Sequence, residues 1–488
     1  MLKVCEHLLP SLNMSGTRWL WSPREANQIL RDTRNFINDH RRILDEIVAK
    51  SGTSAKHKLF GLFLQESLYE SEFGWLTFDQ HMFPDKEIRD ACTESEKMMD
   101  KYSIEASQRE DVWGAFNDMR RWMGEHSEHG PQTQEQQRFL EKRALDYKRG
   151  GMELPKEVRE QLNVAKTKLA ELCVEFQKNI RESDTELAFT SDDLRGVPLD
   201  IMERFKKSSD GKWVYVSTKY PDYEPVMDYC TNDTTRQLLY MAFNQRAKET
   251  NRPILTKMVE LRRRIAAMGG YESHAEFVLE TRMAKNPDTV LKFLQEVVTK
   301  MAPLGEKERN RFVELKQEEQ GGLSNGRVDP WDTRRFGEES VKRDYQVDRN
   351  ELRKYFPVQK VVQGTLDIYQ RMLGLKFVQE EGAPVWFEGV TRWRVHDSPT
   401  DALMGYFYLD LYPREGKFSH AAVFPLAPGT TDPTSKVHTP AVAAMLCNFS
   451  PPSKDEKEPS MLSHDEVETF FHEFGHVMHN MCSEVELP

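Results

Sequence analysis

The chain has 488 residues, of which 30% are charged and 10% aromatic, with a formal net charge of −11. That length accommodates more than one lobe with its own core, and the composition excludes a disordered chain. The acidic balance excludes a nucleic-acid partner, and the lack of any apolar run of 18 residues excludes a transmembrane helix and a membrane partner.

Six cysteines (Cys5, Cys92, Cys173, Cys230, Cys447 and Cys482) are scattered without a C-x-x-C pair. Such spacing suits reduced thiols in the cytoplasm better than a disulfide framework. The first residues, with one Lys and an apolar run broken by Glu6 and His7, make a poor secretory or transit signal. The N-x-S/T matches at Asn13, Asn232 and Asn448 are then accidental.

Residues 1–15 read as a flexible tail. A helix follows Ser22-Pro23, with Ile29/Leu30, Phe36/Ile37, Ile43/Leu44 and Ile47/Val48 at near-heptad spacing. Leu59–Phe78 reads as a second helix, Lys86–Met123 as two more, and Gln137–Lys148 as another stopped at Gly150-Gly151. A long helix runs from beyond Pro155 towards Ile180. Thr185–Thr190 and Trp213–Thr218 read as short strands. Helices return over Asp233–Lys248, Pro253–Met268 (Pro253 in the first turn), Ser273–Met283 and Asp288–Gln320, the last kinked at Pro303. Leu352–Leu375 is helical with a break at Pro357.

A β-rich patch covers Val385–Leu426. In Tyr406–Tyr412, Phe407, Leu409 and Leu411 share one face while Tyr408 and Asp410 share the other, the pattern of a half-buried strand. His420–Phe424 is its expected partner strand. Loops at Pro428–Pro440 and Pro451–Pro459 flank Ala441–Asn448. A small sheet ahead of a metal-binding helix suits capture of an extended peptide by strand addition.

That helix is Ser463–Cys482. Ser463 and Glu466 form a capping box, so it begins near His464. Val467, Phe470, Phe471, Phe474, Met478 and Met481 lie on one apolar stripe, and His472 and His476 lie opposite it. His472-Glu473-Phe474-Gly475-His476 is an H-E-x-x-H motif. Imidazoles one turn apart converge on one ion, and the intervening Glu473 sits beside it as a base for an activated water. Gly475 costs about 1 kcal/mol relative to Ala in a helix, which points to tight packing or to close approach of a strand or substrate.

Phe471–His479, Tyr408–Lys417, His464–Thr469, Tyr355–Gln359 and Val278–Lys285 (FHEFGHVMH, YLDLYPREGK, HDEVET, YFPVQ and VLETRMAK) closely resemble the thimet oligopeptidase and neurolysin family of zinc metallopeptidases. The resemblance runs in one order from Arg18 to the end. It implies a mainly α fold with a small β-sheet, two-lobed, with a deep channel where short unstructured peptides are cleaved internally. On that basis residues 16–230 are a helical N-terminal region and 231–488 the catalytic region. The resemblance implies one Zn²⁺ held by His472 and His476, Glu473 as general base, and His420, Ala421 and Ala422 along the edge that aligns substrate. A monomer is expected, in the cytoplasm or, as the alternative, in mitochondria.

Family members continue past the equivalent of Pro488 and take their third zinc ligand there, so this chain reads as truncated, without that ligand. His479 lies about 10.5 Å along the axis from His472, too far to share an ion; Glu484 and Glu486 would have to fold back; Glu468 would serve His472 as a hydrogen-bond acceptor. Two function classes follow: an oligopeptide-cleaving metalloendopeptidase, or an inactive peptide- or partner-binding protein of the same fold. Truncation also predicts an exposed apolar patch at Phe470, Phe474 and Met478 and hence poor solubility.

Overall fold

The computed structural model describes residues 20–51, 56–70, 73–131, 133–181, 183, 185–321, 326–418, 420–431, 438–449 and 459–486. The expected tail at 1–15, with Cys5 and Asn13, lies outside them. The chain is mainly α with small sheets and divides into two compact units: residues 1–159 with 353–488, and residues 160–352. Both boundaries lie elsewhere than residue 230, where the sequence reading divides the chain by function.

The first unit begins with helices α1 (Ala26–Ser51), α2 (Lys56–Glu70), α3 (Phe73–Thr77), α4 (Lys86–Ala106), α5 (Glu110–Glu125) and α6 (Gln134–Gly150); α7 (Lys156–Arg181) starts in it and continues into the second. The single helix expected over Leu59–Phe78 is instead α2, α3 and a 3₁₀ turn at Phe78–His81. The apolar residues of α1 meet Phe63, Val112, Phe116 and Met119 in one core. Gly151, with φ of 98°, caps α6 in the left-handed region that glycine enters without strain.

In the second unit, β1 (Glu186–Phe189), β2 (Lys206–Lys207) and β3 (Val214–Ser217) form a sheet of order β1-β3-β2, with α8 (Leu199–Met202) between β1 and β2 in sequence. Then come α9 (Tyr220–Tyr229), α10 (Asp233–Asn244), α11 (Lys248–Met268), α12 (His274–Leu279), α13 (Pro287–Gln320) and α14 (Thr333–Asp344), followed by α15 (Arg349–Arg353) at the boundary. Pro253 is inside α11 rather than in its first turn. The earlier start is tied down by buried Asn251, whose amide donates to the Phe176 carbonyl at 3.0 Å and accepts from Asn179 at 2.9 Å. α13 continues through Pro303 for 34 residues.

The first unit resumes with α16 (Val358–Leu373), whose N-cap is Pro357, the position where the sequence reading placed a break in the helix. Strands β4 (Leu375–Gln379), β5 (Thr391–Asp397), β6 (Leu403–Asp410), β7 (Ala422–Ala427), β8 (Thr430–Thr431), β9 (His438–Thr439) and β10 (Ala441–Leu446) follow, then α17 (His464–Met481). The main sheet has order β4-β5-β6-β10-β7. β10 inserts between two earlier strands, parallel to β6 and antiparallel to β7.

The sequence reading of β6 as half-buried is corrected here. Its alternation holds, but Tyr408 and Asp410 are buried too. One sheet face packs Phe407, Leu409, Ala443 and Met445 against α17. The other packs Tyr408, Val442, Ala444 and Leu446 against Trp21, Phe78, Met82 and Trp386. Asp410 accepts from Trp386 Nε1 at 2.7 Å, from Arg414 at 2.8 Å and from Lys417 at 2.7 Å. Burial alone would push its carboxyl up; the bonds and charges of Arg414 and Lys417 outweigh that and hold it below the usual carboxylate range.

Candidate metal centre

The capping box that opens α17 is formed: Ser463 Oγ accepts from Glu466 N at 3.1 Å, and Glu466 Oε2 accepts from Ser463 N at 2.7 Å. These bonds satisfy two of the donors a helix start leaves unpaired and so fix the phase of every side chain after them. Phe470, Phe474, Val477, Met478 and Met481 are then buried against β6 and β10. This overturns the expected exposed patch: the sheet itself supplies the surface that Phe470, Phe474 and Met478 need.

Two further features seat the helix. A Cβ on Gly405 would lie 2.6 Å from both Ala441 O and Met481 Sδ, so only glycine allows this approach. The Asn480 amide, which the sequence reading passed over, donates to Val442 O at 3.3 Å and Ala427 O at 3.5 Å, tying α17 to β10 and β7. Its signal was a polar residue next to an apolar stripe. Gly475 meets nothing so close: a Cβ there would touch only the Tyr369 hydroxyl, at 3.6 Å.

With the apolar side seated, His472 and His476 stand exposed on the other side. Their Nε2 atoms are 3.2 Å apart, with ring centroids 4.9 Å apart and planes inclined at 78°. Two nitrogens bound at 2.0–2.1 Å to one tetrahedral ion lie about 3.3 Å apart, so the pair fits a shared divalent ion. Glu473 is half-buried, and its side chain makes no hydrogen bond among the described residues. Its charge adds to burial in pushing the Cys447 thiol up.

No third donor joins the pair among the described residues. The one group of three His, Cys, Asp or Glu side chains with donor atoms within 4.8 Å of one another is His464, Asp465 and Glu468, in the first two turns of α17 and without His472 or His476. Glu468 faces His464 Nδ1 at 3.6 Å rather than serving His472. Glu486 is held elsewhere, accepting from Gln136 Nε2 at 2.8 Å. His479 and Glu484 are exposed.

Ala422 is the first residue of β7, at the edge of the five-stranded sheet, and His420 and Ala421 lead into it. The Asn448 amide donates to the carbonyls of Phe418 and His420, both at 2.8 Å, and so fixes this approach. The expected partner strand His420–Phe424 thus begins two residues later and pairs with β10 rather than β6.

A family model described as "Peptidase family M3" matches residues 226–488. The chain is 37% identical over 419 residues to a thimet-like oligopeptidase of Dictyostelium discoideum, covering 84% of this chain and 62% of that protein. It is 31% identical over 500 residues to saccharolysin of Saccharomyces cerevisiae, covering 97% and 67%. It is 30% identical over 414 residues to oligopeptidase A of Escherichia coli, covering 82% and 59%. The chain thus spans about three-fifths to two-thirds of the length of these curated relatives. With the motif on an exposed helix face and similarity of this extent, the chain belongs to peptidase family M3.

Proposed function

We propose that the protein acts in hydrolysis of internal peptide bonds of short, unstructured oligopeptides, with His472 and His476 holding one Zn²⁺ and Glu473 as general base. The observation that carries this reading is the 3.2 Å convergence of two Nε2 atoms on the exposed side of α17. A zinc ion held there supplies Lewis-acid polarisation of the peptide carbonyl and acidifies water. Glu473 accepts the proton of the attacking water and delivers it to the leaving amine. His420, Ala421 and Ala422 align the peptide backbone along the start of β7, the mode of recognition an open sheet edge offers.

The substrates are peptides rather than nucleic acid, in keeping with the net charge of −11. A reducing compartment, the cytoplasm before the mitochondrion, is supported by Cys92, Cys230 and Cys447, which are buried single thiols. No helix among the described residues is long and apolar enough to cross a membrane.

The second reading is an inactive peptide- or partner-binding protein. It is favoured by one observation, the lack of a third donor near His472 and His476 among the described residues. Zinc content and cleavage of a quenched-fluorescence peptide by the 488-residue chain separate the two. Chelator-sensitive turnover, lost in Glu473→Gln by a factor of at least about 10² with zinc retained, supports the peptidase. Zinc near zero with a rate equal to that of Glu473→Gln supports the binding protein.

A further inference from the structure

The pairing of β7 with β10 continues past the last residue of either strand. Its final backbone pair is Leu446 with Ala422. Carried on by two places, the same antiparallel register sets Asn448 opposite His420. There a side chain takes over from the backbone: the Asn448 amide donates both of its hydrogens, to the carbonyls of His420 and Phe418, each at 2.8 Å. Carbonyls two residues apart share one edge of an extended chain. Asn448 thus holds His420 and Ala421 as a forward extension of β7.

The same period assigns the outer edge. With the backbone groups of His420, Ala422 and Phe424 turned to β10, those of Ala421, Val423 and Pro425 turn away from it. Proline suits such a place, since it has no N–H and is confined to strand edges. The Pro425 carbonyl meets α3: a Cβ on Gly74 would lie 2.9 Å from its oxygen. α3 therefore takes the outer edge at Pro425, and a guest strand along β7 pairs with Ala421 and Val423. Two such residues offer a guest about four backbone hydrogen bonds, each worth a factor of about five in affinity.

The clamp is tied to the metal helix. Cys447, one residue before it, is fully buried in the core that holds Phe470 and Phe474 of α17. Cys447 N and Phe449 N donate to the carbonyls of Asp410 and Leu411 at 2.7 and 2.9 Å, so the backbone on both sides of Asn448 belongs to the end of β6. Phe418 N donates in turn to the carbonyl of His81, in the 3₁₀ turn, at 2.7 Å. The side-chain type matters here. An aspartate of the same shape would set a carboxylate oxygen against two carbonyl oxygens, and alanine would reach neither.

We propose that Asn448 is a positioning residue for the peptide: by prolonging the β10 ladder through its side chain, it sets Ala421 and Val423 as the backbone partners of a bound peptide, at a fixed place relative to α17. This rests on the reading above that a peptide lies along the start of β7. It narrows that reading, since backbone pairing falls to Ala421 and Val423 while the backbones of His420 and Ala422 face β10.

The test is calorimetric titration of the 488-residue chain, carrying Glu473→Gln so that no turnover intervenes, with the quenched-fluorescence peptide and with the same peptide N-methylated at alternate residues. The expected result is that N-methylation weakens binding at least about fivefold. Adding Asn448→Asp should weaken the plain peptide about tenfold, with an unchanged circular dichroism spectrum, and cut the N-methylation penalty to under about twofold. A general loss of structure would not couple to methylation of the peptide backbone in this way. Ala421→Pro, which removes an outward N–H and leaves Asn448 in place, should reproduce both effects. Unchanged affinity in Asn448→Asp or in Ala421→Pro, or the full penalty retained in either, overturns the proposal while peptide binding itself stands. So does loss of folding in both Asn448→Asp and Asn448→Ala, which assigns the amide to stability alone. A chain with Glu473→Gln alone that binds neither peptide overturns the underlying reading as well.

Discussion

Gly405 and Met481 meet so closely that a methyl group on the glycine would lie 2.6 Å from the methionine sulfur and 2.6 Å from the Ala441 carbonyl oxygen. The sulfur belongs to a flexible side chain and can move, but the carbonyl belongs to the β10 backbone and cannot. Gly405→Ala therefore forces β6 away from β10 or α17. The expected cost is about 1–3 kcal/mol, typical of overpacking, read as a lowered urea midpoint at unchanged slope. A midpoint equal to the parent would show that the sheet and helix are looser than described.

Gly475 predicts the opposite sign. A Cβ there touches only the Tyr369 hydroxyl, at an ordinary 3.6 Å, while glycine in a helix interior costs up to about 1 kcal/mol relative to alanine. Gly475→Ala should raise unfolding stability by about that amount. Destabilisation would mean that something not in contact with the helix here requires the glycine.

His40 gives a pH dependence. It is buried, with Nδ1 2.6 Å from the Tyr102 hydroxyl. Burial first, and then the Arg143 charge, lower its pKa from 6.5 to about 4. The folded state therefore holds this ring neutral while the unfolded chain protonates it between those values. Stability from this group is full above pH 6.5 and is lost as pH falls to about 4, by on the order of 3 kcal/mol. Urea unfolding at pH 7 and pH 4.5 measures this, and His40→Gln should flatten the slope in that window. An equal slope in the variant would assign the acid sensitivity to other groups.

Among the described residues, Asp410 is the carboxylate that pairs with both Arg414 and Lys417, at 2.8 and 2.7 Å. Lys417 Nζ also donates to the carbonyls of Tyr412 and Cys447 at 2.7 and 2.5 Å, so the cluster anchors the segment that leads to β7. Asp410→Asn leaves two buried cations without a counter-charge, for an expected loss of about 3–5 kcal/mol by thermal or denaturant unfolding. A loss under about 1 kcal/mol would show that the cations reach water.

These cases mark what the amino-acid order discloses. The start, phase and apolar side of α17 were legible because a capping box and a helical stripe are local. The facing of His472 and His476 follows from the same phase. Burial of Tyr408 and Asp410 was not legible: it depends on Trp21 and Trp386, which reach β6 from distant parts of the chain. The parallel neighbour of β6 was hidden for the same reason, since pairing partners carry no local mark. Asn448 drew notice in the sequence only as a modification match, and nothing local marked its amide as the donor to the Phe418 and His420 carbonyls. Exposed apolar surface was foreseen on α17 and does not occur there, because the reading counted a stripe without knowing that β6 and β10 would cover it.

The insertion of β10 between β6 and β7 carries a consequence for how the molecule is made. Strands β6 and β7 emerge from the ribosome with a strand-wide gap between them, and nothing before Ala441 can fill it. Until then Phe407 and Leu409 have no neighbour on one side, and α17 has no floor to land on. Assembly of this sheet must wait until Ala441–Leu446 and then α17 have been made, a delay of the kind that slows non-local sheets and leaves apolar strands open to holdase chaperones.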